Sequence, residues 1–304
     1  MENQNNDNNL AIYHFLETQL QLFKGHFLIT QASMDEEAIH QMRVAIKRIR
    51  TIQKLKKHIN FPTIIDDEQY NSIKTIFAVS GNLRDLQIQQ TLLKRYIKLL
   101  KSPFQEMVTY LSDQDHLLTE KLNTTIRNTD FASFLEIPEP EDSLENIKDN
   151  SDLRVESLDF LKKKTEKIFK LNYQLDKKDD FVHDMRKQIK QLFFILQFLH
   201  NHFPDNETSD FELKNIKDVG ERIGDWNDRD VFELMLNNFI SKQKGSFIKD
   251  YAEYRILQYV IEDEKRKFLQ DIATDIYIEL MKLKIIIDYQ QSNVEDLEPK
   301  VISN

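Results

Sequence analysis

Residues 40–58 read HQMRVAIKRIRTIQKLKKH, a run with Arg43, Lys47, Arg48, Arg50, Lys54, Lys56 and Lys57 and not one Asp or Glu. Plotted at about 100° per residue, His40, Arg43, Lys47, Arg50, Lys54 and Lys57 share an arc of about 100°. Met42, Ala45, Ile46, Ile49 and Ile52 lie roughly opposite. The stretch therefore reads as a helix with one packing face and one face that presents a ladder of cations.

The same pattern returns 143 residues later. His40 aligns with His183, Met42 with Met185, Arg43 with Arg186, Ile46 with Ile189, Lys47 with Lys190 and Ile52 with Ile195, without a gap. The offset also pairs Ile73 with Ile216, Lys74 with Lys217, Gly81 with Gly224 and Asp85 with Asp228. Shared composition does not put His, Arg, Lys, Gly and Asp into one register, so duplication of a helical unit is the economical explanation.

Working outward, the chain of 304 residues has only 5 Gly and 6 Pro, too little turn chemistry for many short strands. Helices are expected over about 10–29, from a Ser33–Glu36 capping box to about Asn60, and over 67–80, where Gly81 reads as a C-terminal stop. Asn82 and Asp85 then look like the cap and first turn of a new helix running to about Lys101, with another after Pro103 to Arg127. The acidic, Pro-containing segment Glu136–Asp142 reads as a linker. Later helices are expected over 151–173, 180–202, 208–223, 227–241 and 246–287. The chain divides into a first half (10–135), a linker (136–150) and a second half (151–287).

Cysteine is absent, which excludes disulfides, Cys-based zinc sites and a cysteine nucleophile. Residues 1–9 lack the features of a secretory signal, and the longest apolar run, Leu192–Leu199, is far short of the roughly 20 residues that span a bilayer. A cytoplasmic protein without a membrane partner is expected. The net charge of −9 opposes an anionic partner at long range. A concentrated basic face still attracts one locally, since charges are screened beyond about 8 Å at physiological salt.

Four ordered motifs carry a family resemblance: His40-Gln-Met-Arg43-Val-Ala-Ile-Lys47-Arg48-Ile-Arg50, Gly81-Asn-Leu-Arg84-Asp85, His183-Asp-Met-Arg186-Lys-Gln-Ile-Lys190 and Gly224-Asp-Trp-Asn227-Asp228. Over about residues 10–285 the chain resembles the conserved-histidine α-helical domain, or CHAD, family. The resemblance implies an all-α fold of two pseudo-symmetric helical bundles, a basic groove between them, and non-catalytic binding of inorganic polyphosphate, with association to polyphosphate granules. By that analogy His40, Arg43, Lys47, Arg50, His183, Arg186 and Lys190 are the ligand-facing positions. Lys54 extends the ladder, Arg84 fits the family's Arg-Asp pair, and Lys74 and Lys217 recur in register and could widen the basic surface, or simply be solvated. The second half departs from the pattern, with Phe193 and Gln197 where the first has Arg50 and Lys54, so the first half is expected to contribute more binding energy. A triphosphate-tunnel domain, often fused to this family, is not recognised in the sequence.

Arg, Lys and protonated His suit a phosphate chain because they form charge-assisted hydrogen bonds to its oxygens. Two other readings remain open. A phosphoryl-transfer enzyme would use His40 or His183, but a Walker-type loop and clustered carboxylates for Mg²⁺ are missing. A nucleic-acid backbone binder would gain from aromatic residues among the cations, and the His40–Lys57 basic face has none. No cofactor and no metal site is expected. Asp85 and Asp228 read chiefly as helix caps, Trp226 as core, and the lysine run 162–164 as a solvated face.

Overall fold

The computed structural model describes residues 2–59, 65–130, 153–173, 179–202, 210–242 and 251–297. Among these residues there are eight helices and no strand: α1 (Glu2–Ser33), α2 (Glu36–His58), α3 (Asp67–Leu100), α4 (Gln105–Arg127), α5 (Leu153–Asn172), α6 (Asp179–His202), α7 (Asp210–Lys242) and α8 (Tyr251–Leu297). The helices α2 and α6, and likewise α3 and α7, start at the 143-residue offset and end within one residue of it. The expected linker lies outside the described residues, as does the expected end of α2 at Asn60.

Local chemistry sets the helix starts. Asp35, not Ser33, caps α2: its carboxylate accepts from Ala38 N at 2.7 Å. Ser33 is the last residue of α1 and donates back to Ile29 O at 3.0 Å. The break falls at Met34, whose φ of 52° interrupts the helix two residues before the Glu that the capping-box reading relied on. Asp66 and Gln69 form a reciprocal capping box at the start of α3.

The expected breaks at Gly81 and Gly224 do not occur, and α3 and α7 are continuous helices of 34 and 33 residues. Neither glycine has a positive φ. Ile73, Ile76, Ser80, Leu83, Leu86, Leu93 and Tyr96 are buried along α3, so an apolar stripe crosses the glycine without changing phase, and burial of that stripe outweighs the roughly 1 kcal/mol propensity cost of one glycine. At about 1.5 Å per residue each helix runs for about 50 Å.

That length explains how the core is divided. Successive helices pack in each half, α1 on α2 and α5 on α6, then α2 on α3 and α6 on α7, while α2 meets α6 and α3 meets α7 across the halves. One large apolar cluster unites residues from α1–α8, including Phe23, Ile46, Leu161, Ile195 and Trp226. A second gathers Leu86, Tyr96, Phe104, Phe232, Phe239 and Tyr254 where the far ends of α3 and α7 meet α4 and α8. Both clusters draw on both halves, so the sequence repeat does not fold as two separate cores. The second is clamped by Glu264, which accepts from Arg95 Nη1 at 3.1 Å, Tyr96 OH at 3.0 Å and Arg229 Nε at 2.7 Å. No described helix is long and apolar enough to cross a membrane.

Candidate functional site

The contact between α2 and α6 brings their basic faces together, while their apolar residues join the core. Residues equivalent by sequence meet there. The Lys47 ammonium is pushed down from 10.5 to about 7, first by burial and then by the charges of Lys190, Arg43 and Arg186, while Asp85 pulls the other way. Lys190 falls to about 8, again by burial and then Arg186 and Arg43, opposed by Asp228 and Glu221. Burial, aided by Arg84, Lys47 and Lys190 against Glu37, also lowers the pKa of His40. Among the described residues no ion pair within 4.0 Å neutralises Lys47, Lys190, Arg43 or Arg186. Like charges held this far from water, opposed only by nearby carboxylates such as Asp85 and Asp228 that form no ion pair with them, are costly to hold without a further anion.

The two arginines differ. Arg43 is committed to α3: Nη1 donates to Phe77 O at 2.5 Å and Ser80 Oγ at 3.1 Å, and the guanidinium lies 4.3 Å from the Phe77 ring centroid. Gly81 makes this possible through space, not backbone freedom, because a Cβ there would sit 3.0 Å from Arg43 Nη1. Around Gly224 no atom of the described residues lies within 4 Å of such a Cβ. Arg186 has no comparable anchor, and its Nε is buried without a hydrogen-bond partner among the described residues.

The two histidines differ in the opposite sense. His183 Nδ1 meets Asn227 Oδ1 at 2.8 Å and Nε2 meets Asp230 Oδ2 at 2.8 Å. Two acceptors favour the doubly protonated ring, and its pKa is raised, first by the Asp230 hydrogen bond and then by that of Asn227, against burial. Asp230, held down at about 2 by His183 and Lys265 against its own burial, passes the interaction to Lys265, which also donates to Glu233 at 2.8 Å. Both His183 nitrogens are thus engaged inside the protein, whereas His40 faces the cations.

The other predicted positions scatter. Arg50 sits 4.6 Å over the Phe77 ring, three residues beyond Lys47 on α2, and Lys54 follows it, exposed, on the same face. Arg84 is tied to Glu36 at 2.6 Å, yet its charge still reaches His40 and Arg43. Lys74 is exposed beside Tyr70 and donates to Asn71 Oδ1 at 3.0 Å; Lys217 is exposed, 3.5 Å from Glu221. Neither enters the cluster. Trp226 is fully buried, as core.

Three residues carry more than the sequence reading gave them. Asp85 and Asp228 are not caps but mid-helix carboxylates: each pulls on the arginine of its own half, Arg43 and Arg186 respectively, and the charge of Asp228 helps raise the pKa of Asp85, after desolvation. Lys164, read as solvated, is half-buried; its pKa falls to about 8 by burial, then through Lys54 and Lys167. Its place beside α6 is a tertiary fact that no local pattern announces. Among the described residues His58, Glu156 and Asp159 have metal-compatible spacing. His58 and Lys163 already satisfy Asp159, at 3.0 and 2.7 Å, which makes the group an ion-pair network.

Residues 14–237 match the model of the CHAD domain family. The chain belongs to the CHAD domain family. Its fold is similar to the crystal structure of the CHAD domain from the plant Ricinus communis, with a TM-score of 0.69 at 17% identity, over 89% of this chain and 91% of that one. A search of curated protein sequences finds no match. The CHAD motifs first seen in the sequence lie on α2, α3, α6 and α7, and their basic residues His40, Arg43, Lys47, Arg186 and Lys190 converge.

Proposed function

We propose that this CHAD domain is a non-catalytic binder of inorganic polyphosphate, held along the α2–α6 contact by Lys47, Lys190, Arg186 and His40, with Arg43 shaping the site. The observation that carries the reading is the pair Lys47 and Lys190, driven to about 7 and 8 by burial and by neighbouring cations, without an ion pair among the described residues. A polyanion would relieve that repulsion, and several phosphates in one covalent chain could answer several cations at once. The family resemblance supports the choice of polyphosphate, and an intracellular association with polyphosphate granules belongs to the same proposal.

The test is calorimetric titration with polyphosphates of defined length, orthophosphate, ATP and single- and double-stranded DNA, matched by phosphate concentration. Affinity should grow with chain length and weaken steeply as salt rises, because bound counterions are released. Equal competition by orthophosphate or displacement by DNA would overturn the proposal. Phosphate release abolished by His40→Ala would replace it with an enzymatic one.

A further inference from the structure

Beyond the α2–α6 cluster the cations continue along α2 through Arg50 and Lys54. Arg50 repels both Arg43 inside the cluster and Lys54 outside it. Lys54 in turn is lowered by burial and by Arg50, Lys167 and Lys187, and no carboxylate offsets them. Lys164 stands at the join between α5 and α6, its Nζ donating to Gln188 Oε1 at 3.0 Å and Gln191 Oε1 at 2.9 Å, and lying 5.0 Å from the Phe160 ring centroid. Neutral amides position this ammonium without cancelling its charge. Among the described residues Lys187 alone of the group is partly answered, by Asp184 at 3.2 Å.

The symmetry-related side lacks this arrangement. At the 143-residue offset Arg50 corresponds to Phe193, Lys54 to Gln197, Lys164 to Gln21 and Lys187 to Val44; only Lys167 has a cationic counterpart, Lys24. We propose that Lys54, Lys164 and Lys167 form a second, one-sided binding station that receives the part of a polyphosphate chain extending out of the α2–α6 cluster past Arg50. The inference rests on the polyphosphate reading and adds a direction to it: a short chain fills the cluster, and a longer one leaves it across α2 towards α5. Chain-length preference then resides in this flank.

The experiment compares tripolyphosphate with long-chain polyphosphate on the full chain. The Lys54→Gln/Lys164→Gln/Lys167→Gln variant should lose roughly tenfold in affinity for the long chain, the sum of three screened contacts, and leave tripolyphosphate unchanged. Because Lys164 is half-buried, Lys54→Gln/Lys167→Gln, altering exposed residues only, should reproduce the direction of the effect with the urea midpoint unchanged. Lys47→Gln should weaken both ligands. Unchanged long-chain affinity in both flank variants, or an equal loss for tripolyphosphate, overturns the flank while leaving polyphosphate binding intact. Failure of the wild-type protein to bind either chain overturns the reading beneath it.

Discussion

Replacing Lys47 by Met should stabilise the unliganded protein at acid and neutral pH and remove much of its response to polyphosphate. Burial and the neighbouring cations bring Lys47 from 10.5 down to about 7, so holding its charge in the fold below that pH costs up to about 5 kcal/mol, at about 1.4 kcal/mol per pH unit. Water reaching this half-buried position lowers the figure to about 2 kcal/mol. The sign follows from proton counting. Between the folded pKa and 10.5 the unfolded chain holds more protons, so stability rises with pH across that window; below it the penalty is present in full. Met retains the length of the side chain and carries no charge. Urea unfolding in phosphate-free buffer should therefore show Lys47→Met more stable than wild type by about 2 kcal/mol near pH 6, with the gain shrinking towards pH 10. Polyphosphate at a hundred times its Kd should add about 2.7 kcal/mol to wild type and clearly less to the variant. A variant less stable than wild type near pH 6, or a difference that ignores pH, would refute the claim that this lysine is an unneutralised charge.

The same titrations make polyphosphate affinity fall from about pH 6 to about pH 9 as Lys47 and Lys190 lose their protons, at about 7 and 8, and make binding near pH 8 a proton-uptake reaction; calorimetry in buffers of different ionisation enthalpy reads the uptake. Gly224→Ala should stabilise by about 1 kcal/mol through helix propensity, whereas Gly81→Ala should lose that gain because its Cβ displaces the Arg43 guanidinium; urea midpoints compare them. Asp230→Asn should lower the His183 pKa, followed by NMR, and destabilise the fold by about 3 kcal/mol as Lys265 loses one of two carboxylates. Arg186→Gln should cost more polyphosphate affinity than Arg43→Gln, with circular dichroism confirming that both fold; a larger loss at Arg43 would restore the ranking expected from ladder length alone.

Much of the fold could be read from the sequence because helix periodicity and a long repeat are local or nearly local signals. The starts of α2, α3, α6 and α7 keep the offset found in the residues. Gly81 was misread because glycine has two uses, ending a helix or admitting a close neighbour, and only the neighbour, Arg43, distinguishes them. The cluster was legible at Arg43, Lys47, Arg186 and Lys190 for the same reason as the fold. Lys164, Asp85 and Asp228 were not, since their significance lies in what stands across a helix contact. His183 shows the limit of reasoning by repeat: its register matches His40, but the Asp230 that holds it has no acidic equivalent, the matching position being Gln87.

These asymmetries give the two halves unequal work. A repeated helix supplies two arginines and two histidines to one place, and a set of like charges packed there without an anion would push the helices apart. The protein counters this with one member of each pair. Arg43 is fastened to Phe77 and Ser80 on α3, and His183 is fastened through Asp230 to Lys265 on α8. Each anchor lies in a different half and ties its helix to the surrounding core. Arg186 and His40, the other members, remain directed to the cluster together with Lys47 and Lys190. The cost of their proximity is then borne by a scaffold already fixed by the anchored pair, and the proposed polyanion would release it. Net charge does not decide the matter, because acidic side chains more than a screening length away act weakly on half-buried cations that act strongly on one another.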